Sequence, residues 1–262
     1  MMRAAWHVAK SESRLHLRSP SAVKWILANI AAVGATLIFA WPDRNGRAGT
    51  LPDTLHWLAL VEFGLVLYVA LAAPSRLMGP ADRPTLAEWV RDAGVSPSAV
   101  VCGRALTTVV FCLLGVGLSA PLLTLGALIT PLDAGQLLAL AGIAAAFICA
   151  FALLGEALTT ERTPAWRRRL AVGLCFTLLV ALEPLFGERL QALAPLSPLQ
   201  YADTLTRWSG PVAGATSRGA TNVLTPWWSP LLAIPVSFAL ARWRAGRSLA
   251  KSQTKEARVH GA

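Results

Sequence analysis

The sequence predicts an all-α polytopic membrane protein with six transmembrane helices. Of its 262 residues, 55% are hydrophobic and only 15% are charged, whereas soluble domains carry about 25% charged residues. The apolar residues are gathered into runs long enough to cross a bilayer, which takes about 20 residues in a helix. The formal net charge is +10, which in so apolar a chain indicates basic loops on one side of a membrane. This composition excludes an ordinary soluble enzyme and predicts lipid, not nucleic acid, as the neighbour of the basic residues.

The first segment, residues 1–22, is basic and is predicted to form an amphipathic helix that lies on the membrane surface. Trp6, Ala9 and Ser13 share one stripe of such a helix. The other side would meet headgroups or water with four bases, Arg3, Lys10, Arg14 and Arg18. A disordered basic leader is the alternative interpretation.

Six apolar runs follow and define a transmembrane domain over residues 23–243. Prolines and polar turns separate the runs, because neither continues an apolar helix. The third run is too long for one straight span, and we expect Pro121 to kink it or to begin a separate short segment. The predicted spans are residues 23–41, 57–73, 100–130, 135–158, 170–186 and 227–243.

The distribution of basic residues predicts the orientation of the six spans. Successive loops alternate between the two sides of a membrane, and 19 of the 24 Lys and Arg residues then fall on one side. Basic residues concentrate on the cytoplasmic side of membrane proteins. Both termini are therefore predicted to be cytoplasmic, including a basic tail over residues 244–262, and the loop 187–226 is predicted to lie outside.

The cytoplasmic loop over residues 74–99 contains a short predicted helix. Thr85 and Glu88 form a capping box, in which each side chain accepts a hydrogen bond from the backbone of the other residue. Leu86 and Trp89 lie on one side of the helix, opposite its charged residues. A helix of two turns is too short to persist alone in water, so it must dock on another surface.

Two Ser-Pro pairs and one glycine mark boundaries next to the membrane. Ser19-Pro20 and Ser96-Pro97 each precede an apolar run, and serine as the cap with proline in the first turn is a favourable helix start. Gly94 is suited to end the short helix in a left-handed conformation.

Signatures of catalysis are missing from the sequence. It contains no phosphate-binding P-loop, no H-E-x-x-H, no C-x-x-C and no G-x-S-x-G. No catalytic residue, metal site or cofactor site is therefore predicted in this chain. Glu62 is the acid that lies deepest in an apolar run, and acids inside a membrane are candidates for a functional role.

The order of these features resembles that of type 2 ABC transporter permeases, the membrane subunits of many bacterial exporters. That family shows a small-Pro-Ser exit from span two, G-T-L-E, a Ser/Thr-Pro turn and a Gly-Lys pair that opens span three. Here Thr85-Leu86 match the T-L pair, Pro97 matches the turn and Gly103-Arg104 match the Gly-Lys pair. The sequence departs from the pattern at Pro84, where glycine is usual. Leu196-Ser-Pro198 also resembles a Ser-Pro motif between spans five and six of such permeases.

The resemblance implies a bacterial inner-membrane protein that works with a separate P-loop ATPase subunit, which would hold ATP and Mg²⁺. The short helix would be the coupling helix, with its apolar side in a groove of the ATPase. Two permeases, identical or paralogous, would form the pathway. The implied coupling residues are Thr85, Leu86, Glu88, Trp89 and Arg91, and those implied to transmit motion to span three are Pro97, Gly103 and Arg104.

Three alternatives share much of this layout. One is a haem-exporter-type membrane subunit of cytochrome c maturation, which has the same architecture. The others are an ATP-independent membrane scaffold and a secondary carrier. Secondary carriers commonly have repeated halves and a charged site near the middle of the membrane.

Overall fold

The computed structural model describes residues 2–40, 51–75, 85–129, 134–158, 164–186 and 229–260. Within these ranges the chain is helical and forms no strand, which confirms the predicted all-α class. A 3-10 turn, Ala73–Ser75, follows the third helix. The helices are α1 (Met2–Arg18), α2 (Pro20–Phe39), α3 (Leu51–Ala72), α4 (Leu86–Asp92), α5 (Pro97–Ile129), α6 (Ala134–Leu158), α7 (Ala165–Phe186) and α8 (Ser229–His260).

Three of the described helices contain segments long and apolar enough to cross a membrane. They are Pro20–Phe39, Pro97–Gly126 and Ala141–Leu158. A shorter apolar segment, Trp57–Ala72, lies in α3. The helices therefore have the length and composition of a membrane protein, and the arrangement of six spans stays a prediction. The predicted outer loop 187–226 and the Leu196-Ser-Pro198 motif lie outside the described residues.

The longest helix, α5, is the element on which α1 and α2 both pack. Its 33 residues correspond to about 50 Å of helix, well beyond the thickness of a bilayer core. The helix continues through Pro121, so the third apolar run does not form a separate segment there. Leu122, near the C-terminal end of α5, lies 3.9 Å from the position of a Cβ on Gly34 of α2. The N-terminal part of α5 packs on α1 instead.

The first helix forms where it was predicted, but it packs through a different face. Trp6 is 59% exposed, whereas Val8, Glu12 and His16 are buried. Ala9 of the predicted stripe is therefore buried on the bundle while Trp6 is exposed, and the position of this helix on a membrane surface stays a prediction. The physical reason is that α1 lies along α5, where Glu12 and His16 find specific partners and Trp6 is turned away.

The two helices α1 and α5 run parallel. The hydroxyl of Thr107 donates to the carbonyl of Ala9 at 3.2 Å. About two turns further along α1 and one turn further along α5, the His16 ring meets the Phe111 ring edge-on, with 5.1 Å between centroids. Residue numbers at the contacts therefore increase in the same direction along both helices. These contacts make α1 part of the bundle.

The centre of the bundle is the C-terminal half of α3. Leu67, Val69 and Leu71 are fully buried, and Phe63 packs edge-on against Phe147 of α6. Gly155 of α6 lets the two helices approach closely, because a Cβ there would lie 2.5 Å from the carbonyl oxygen of Leu71.

One end of the bundle is formed by α4, the beginning of α5, the end of α6 and the middle of α8; we call it the α4 end. Arg244 of α8 holds this end together. Its guanidinium donates to the carbonyls of Ala157 and Leu158 at 2.6 and 3.0 Å. These are terminal carbonyls of α6, which have no partner within their own helix and attract a cation.

Candidate functional site

The short helix α4 has the capping box that the sequence predicts. The Thr85 hydroxyl accepts from the Glu88 amide at 3.1 Å, and the Glu88 carboxylate accepts from the Thr85 amide at 2.6 Å. At the other end Gly94 adopts a positive φ of 61°, the left-handed conformation that glycine takes without strain. Both boundaries of α4 are thus set by local sequence.

The apolar side of α4 is buried against its own chain. Leu86 is 7% exposed and belongs to one apolar cluster with Val8, Val101 and Ala245, and Trp89 is half-buried at its edge. This corrects the expectation that Leu86 and Trp89 enter a groove of a partner. The Trp89 indole N–H is buried without a hydrogen-bond partner among the described residues.

The opposite side of α4 is open to solvent. Glu88, Arg91 and Asp92 are all exposed there. A partner that met α4 would therefore contact a charged surface, while the apolar side fixes the helix to α5 and α8. The apolar side of α4 thus anchors the helix to the bundle, and its charged side is the one left for contact with a partner.

Pro97 and Gly103 lie in the first two turns of α5, directly after α4. Ser96 caps this helix by accepting a hydrogen bond from the Ala99 amide at 3.4 Å, as predicted for a Ser-Pro start. At Gly103 the backbone of α1 comes very close. A Cβ at this position would lie 2.7 Å from both the Ala5 carbonyl oxygen and the Val8 Cβ, so only glycine permits the contact without displacement.

Arg104 forms a buried ion pair with α1. Its Nε lies 3.0 Å from the Glu12 carboxylate, and both side chains are almost completely buried. Breaking such a pair by removing one partner leaves an uncompensated charge in the interior. Gly103 and Arg104 together thus fix α1 on the beginning of α5.

Of the predicted coupling and transmission residues, Leu86 and Trp89 belong to an apolar cluster that includes Val8, against which Gly103 also lies, whereas Glu88 and Arg91 are exposed on the other side of α4. Leu86 of α4, Val8 of α1 and Val100 at the start of α5 belong to the same apolar cluster. Sequence reasoning missed the contribution of α1, namely Val8 and Glu12. The available signal was that Glu12 is the one acid in an otherwise basic helix, which calls for a basic partner if the helix packs.

Glu62 lies apart from this region, among three helices. The Asn29 amide of α2 donates to both carboxylate oxygens of Glu62, at 3.1 and 3.2 Å. The Ser119 hydroxyl of α5 donates to one of them at 2.8 Å. All three side chains are buried. We call Asn29, Glu62 and Ser119 the polar cluster.

The polar cluster lies at mid-height of α2. Asn29 is the tenth residue of a 20-residue helix, so about 14 Å of helix lie on either side of it. Within the described part of the chain no base pairs with Glu62. Arg104 does not reach it, since 15 residues of α5, or about 22 Å, separate Arg104 from Ser119. Asn29 Oδ1 is buried and has no partner among the described residues.

No group of three or more His, Cys, Asp or Glu side chains is placed to bind a metal ion within the residues that the structure describes. No known protein family matches the chain, and no curated protein matches it.

Proposed function

We propose that this chain is the transmembrane permease subunit of an ATP-binding-cassette exporter. In this proposal it has six spans with both termini in the cytoplasm of a bacterium, lies in the inner membrane and pairs with a second copy or a paralogue. A separate P-loop ATPase subunit would bind ATP and Mg²⁺ and would dock at the α4 end. The chain itself would not hydrolyse ATP.

The observation that carries the proposal is the way α4 is mounted. It is a seven-residue helix, capped at its start, that stands between two apolar helices. Its apolar side is buried on the bundle and its charged side is exposed. A helix this short persists only when it is docked, so the bundle holds α4 as a rigid projection that a partner can push.

Contacts of the described residues provide a route for that push. α4 packs on the beginning of α5 and on α8, and Leu86 belongs to one apolar cluster with Val100 of α5 and Val8 of α1. A push on α4 would therefore reach α5 directly and α1 through this cluster. Gly103 and the Glu12–Arg104 pair hold α1 and α5 together, so these two helices would move as a unit. Packed elements transmit displacement in this way because close-packed interiors have few voids.

The route continues from α1 to α2 through one residue. Ser19 is the single non-helical residue between them, in an extended conformation with φ −76° and ψ 135°. Its hydroxyl accepts from the Ala22 amide at 3.2 Å and so caps α2. Movement of α1 would therefore reorient the beginning of α2, which in this proposal is the first span and borders the pathway.

The test is a charge reversal on the exposed side of α4. Asp92→Lys removes an exposed acid that makes no contact in the described structure. The tagged chain is purified from its own host and the P-loop ATPase that co-purifies with it is quantified; we expect the variant to retain at most a tenth of the wild-type amount. Arg169→Glu, a charge reversal at an exposed position on α7, is the matched control and should retain it. A wild-type chain that binds no ATPase contradicts the proposal.

Removing the cap of α4 tests the role of its rigidity. Thr85→Ala removes the hydroxyl that accepts from Glu88, which costs about 1 kcal/mol of helix stability. We expect weaker stimulation of the partner's ATP hydrolysis by cargo, with insertion unchanged. Thr85→Ser keeps an accepting hydroxyl and should behave as wild type. Equal loss in both variants would show that capping is irrelevant to coupling.

The polar cluster favours a second candidate, an ATP-independent secondary carrier. Its basis is a buried acid at mid-height of the bundle with no basic partner among the described residues, since such acids mark ion and substrate pathways. In that case Glu62→Gln abolishes transport in vesicles that contain this chain alone and no ATP. The permease proposal expects no transport at all from those vesicles.

A further inference from the structure

The outward side of α8 carries an open groove bordered by two arginines. Arg242 and Arg247 are both exposed, and neither makes an ion pair or hydrogen bond within the described part of the chain. Between these arginines the helix surface is recessed, because Ala239, Gly246 and Ala250 have a small side chain or none. The groove is a shallow, largely open depression lined by residues of α8 alone. Two unneutralised cations beside an empty space form a surface suited to an anion.

The side of α8 that bears the groove is fixed by contacts on its other side. Ala241 and Ala245 are buried in the apolar cluster of the α4 end. Arg244 is held by the terminal carbonyls of α6. Since these residues lie on the opposite side of the helix from Gly246, the groove must face away from the bundle.

An aromatic ring lies inside the groove and orients one of the arginines. The Arg247 guanidinium stacks over the Trp243 ring, 3.9 Å from its centroid. Trp243 is itself 51% exposed. A tryptophan next to basic residues at the end of an apolar stretch is typical of the headgroup level of a bilayer. The stacking limits the conformational freedom that Arg247 would lose on binding.

The surface changes from apolar to basic along this side of α8. Val236 is 67% exposed and Leu240 is 40% exposed, and both precede Trp243 on the same side of the helix. After Trp243 the sequence is strongly basic: residues 244–258 contain five bases and one acid. An acyl chain fits the apolar surface that leads to the groove, and a phosphate fits the groove itself, which is lined by Arg242 and Arg247. One molecule, a phospholipid, has both parts.

We propose that this groove binds an anionic phospholipid, with its phosphate between Arg242 and Arg247 and an acyl chain along Val236 and Leu240. The positive charge alone would also suit free phosphate, but the exposed apolar residues that lead into the groove favour a lipid. The inference requires that α8 lies in a membrane, and it is independent of any ATPase partner. A chain that binds no ATPase would therefore not contradict the proposed lipid site.

The experiment uses the full chain, purified in detergent, with phosphatidylglycerol as the probe and phosphatidylcholine as the zwitterionic reference. Bound lipid is counted by native mass spectrometry. We expect preferential retention of phosphatidylglycerol, and a loss of about fivefold in affinity for each arginine removed, from the attraction of one base to an anionic surface. Arg242→Gln with Arg247→Gln should therefore lose about 25-fold.

Two further variants separate a specific groove from general charge. Gly246→Leu fills the groove without changing charge, and the added Cβ meets no atom within 4 Å. We expect it to lose the preference for phosphatidylglycerol. Arg169→Gln removes an exposed base on α7 and should keep it.

Three results would overturn the proposal. The first is retention of phosphatidylglycerol by the double arginine variant at the wild-type level. The second is an equal loss in Arg169→Gln, which would mean non-specific attraction. Displacement of the lipid by inorganic phosphate as efficiently as by added phosphatidylglycerol would show a free-anion site. Circular dichroism and elution volume confirm that each variant is folded before lipid is counted.

Discussion

The contact at Gly103 offers a sharp test of how α1 is attached. In Gly103→Ala the added Cβ would lie 2.7 Å from the Ala5 carbonyl oxygen and from the Val8 Cβ, whereas non-bonded heavy atoms prefer about 3.5–4.0 Å. The two helices must therefore separate by about 1 Å. Neither obstacle is the end of a flexible side chain, so local rearrangement cannot remove the overlap. Overpacking of this kind costs about 1–3 kcal/mol.

The separation has a second effect, because the Glu12–Arg104 pair spans the same two helices. Its 3.0 Å contact would lengthen beyond good hydrogen-bond range after a shift of that size. We therefore expect a loss toward the upper end of the range, about 3 kcal/mol. The assay is unfolding of the purified chain by titration of SDS into detergent micelles, followed by circular dichroism.

The matched control for this variant is Gly117→Ala in the same helix. Gly117 is exposed, and its added Cβ meets nothing within 4 Å. The higher helix propensity of alanine then gives no loss and a gain of up to about 1 kcal/mol. If Gly103→Ala unfolds at the same SDS fraction as Gly117→Ala, the two helices do not make this close contact and the reasoning is refuted.

Two further substitutions can be measured in the same unfolding assay. Arg244→Gln loses charge-assisted hydrogen bonds to the terminal carbonyls of α6 and should cost about 1.5–3 kcal/mol, whereas the exposed Arg242→Gln should cost nothing measurable. Glu62→Leu leaves the Asn29 amide without its two acceptors and should cost about 1–3 kcal/mol; Glu62→Gln keeps an accepting oxygen and should lose less. Equal stability of the Leu and wild-type chains would show that the polar cluster does not hold the helices.

Helix positions were largely predictable because hydrophobic length and local caps determine them. The run predicted at 100–130 became α5 over Pro97–Ile129, and its Ser-Pro start and the capping box of α4 formed as expected. These features depend on neighbours within four residues. Periodicity and capping record such interactions directly in the sequence.

The packing of α1 was not predictable by the same means. Its face was assigned from apolar character, yet the buried side contains Glu12 and His16. Glu12 is buried because Arg104, 92 residues away, compensates its charge. Likewise the apolar side of α4 was identified correctly, but its partner was a surface of the same chain. A sequence pattern shows that a face is covered, and it does not show by what.

The parallel packing of α1 on α5 has a consequence for the order of biosynthesis. Thr107 follows Ala9 by 98 residues, and ribosomes add about 5–20 residues per second. Glu12 therefore waits about 5–20 seconds for Arg104 to be made. During this interval an amphipathic α1, bearing four exposed bases, has no protein surface to cover its acid. Until the third apolar run leaves the ribosome, α1 of the nascent chain is therefore open to proteases and chaperones.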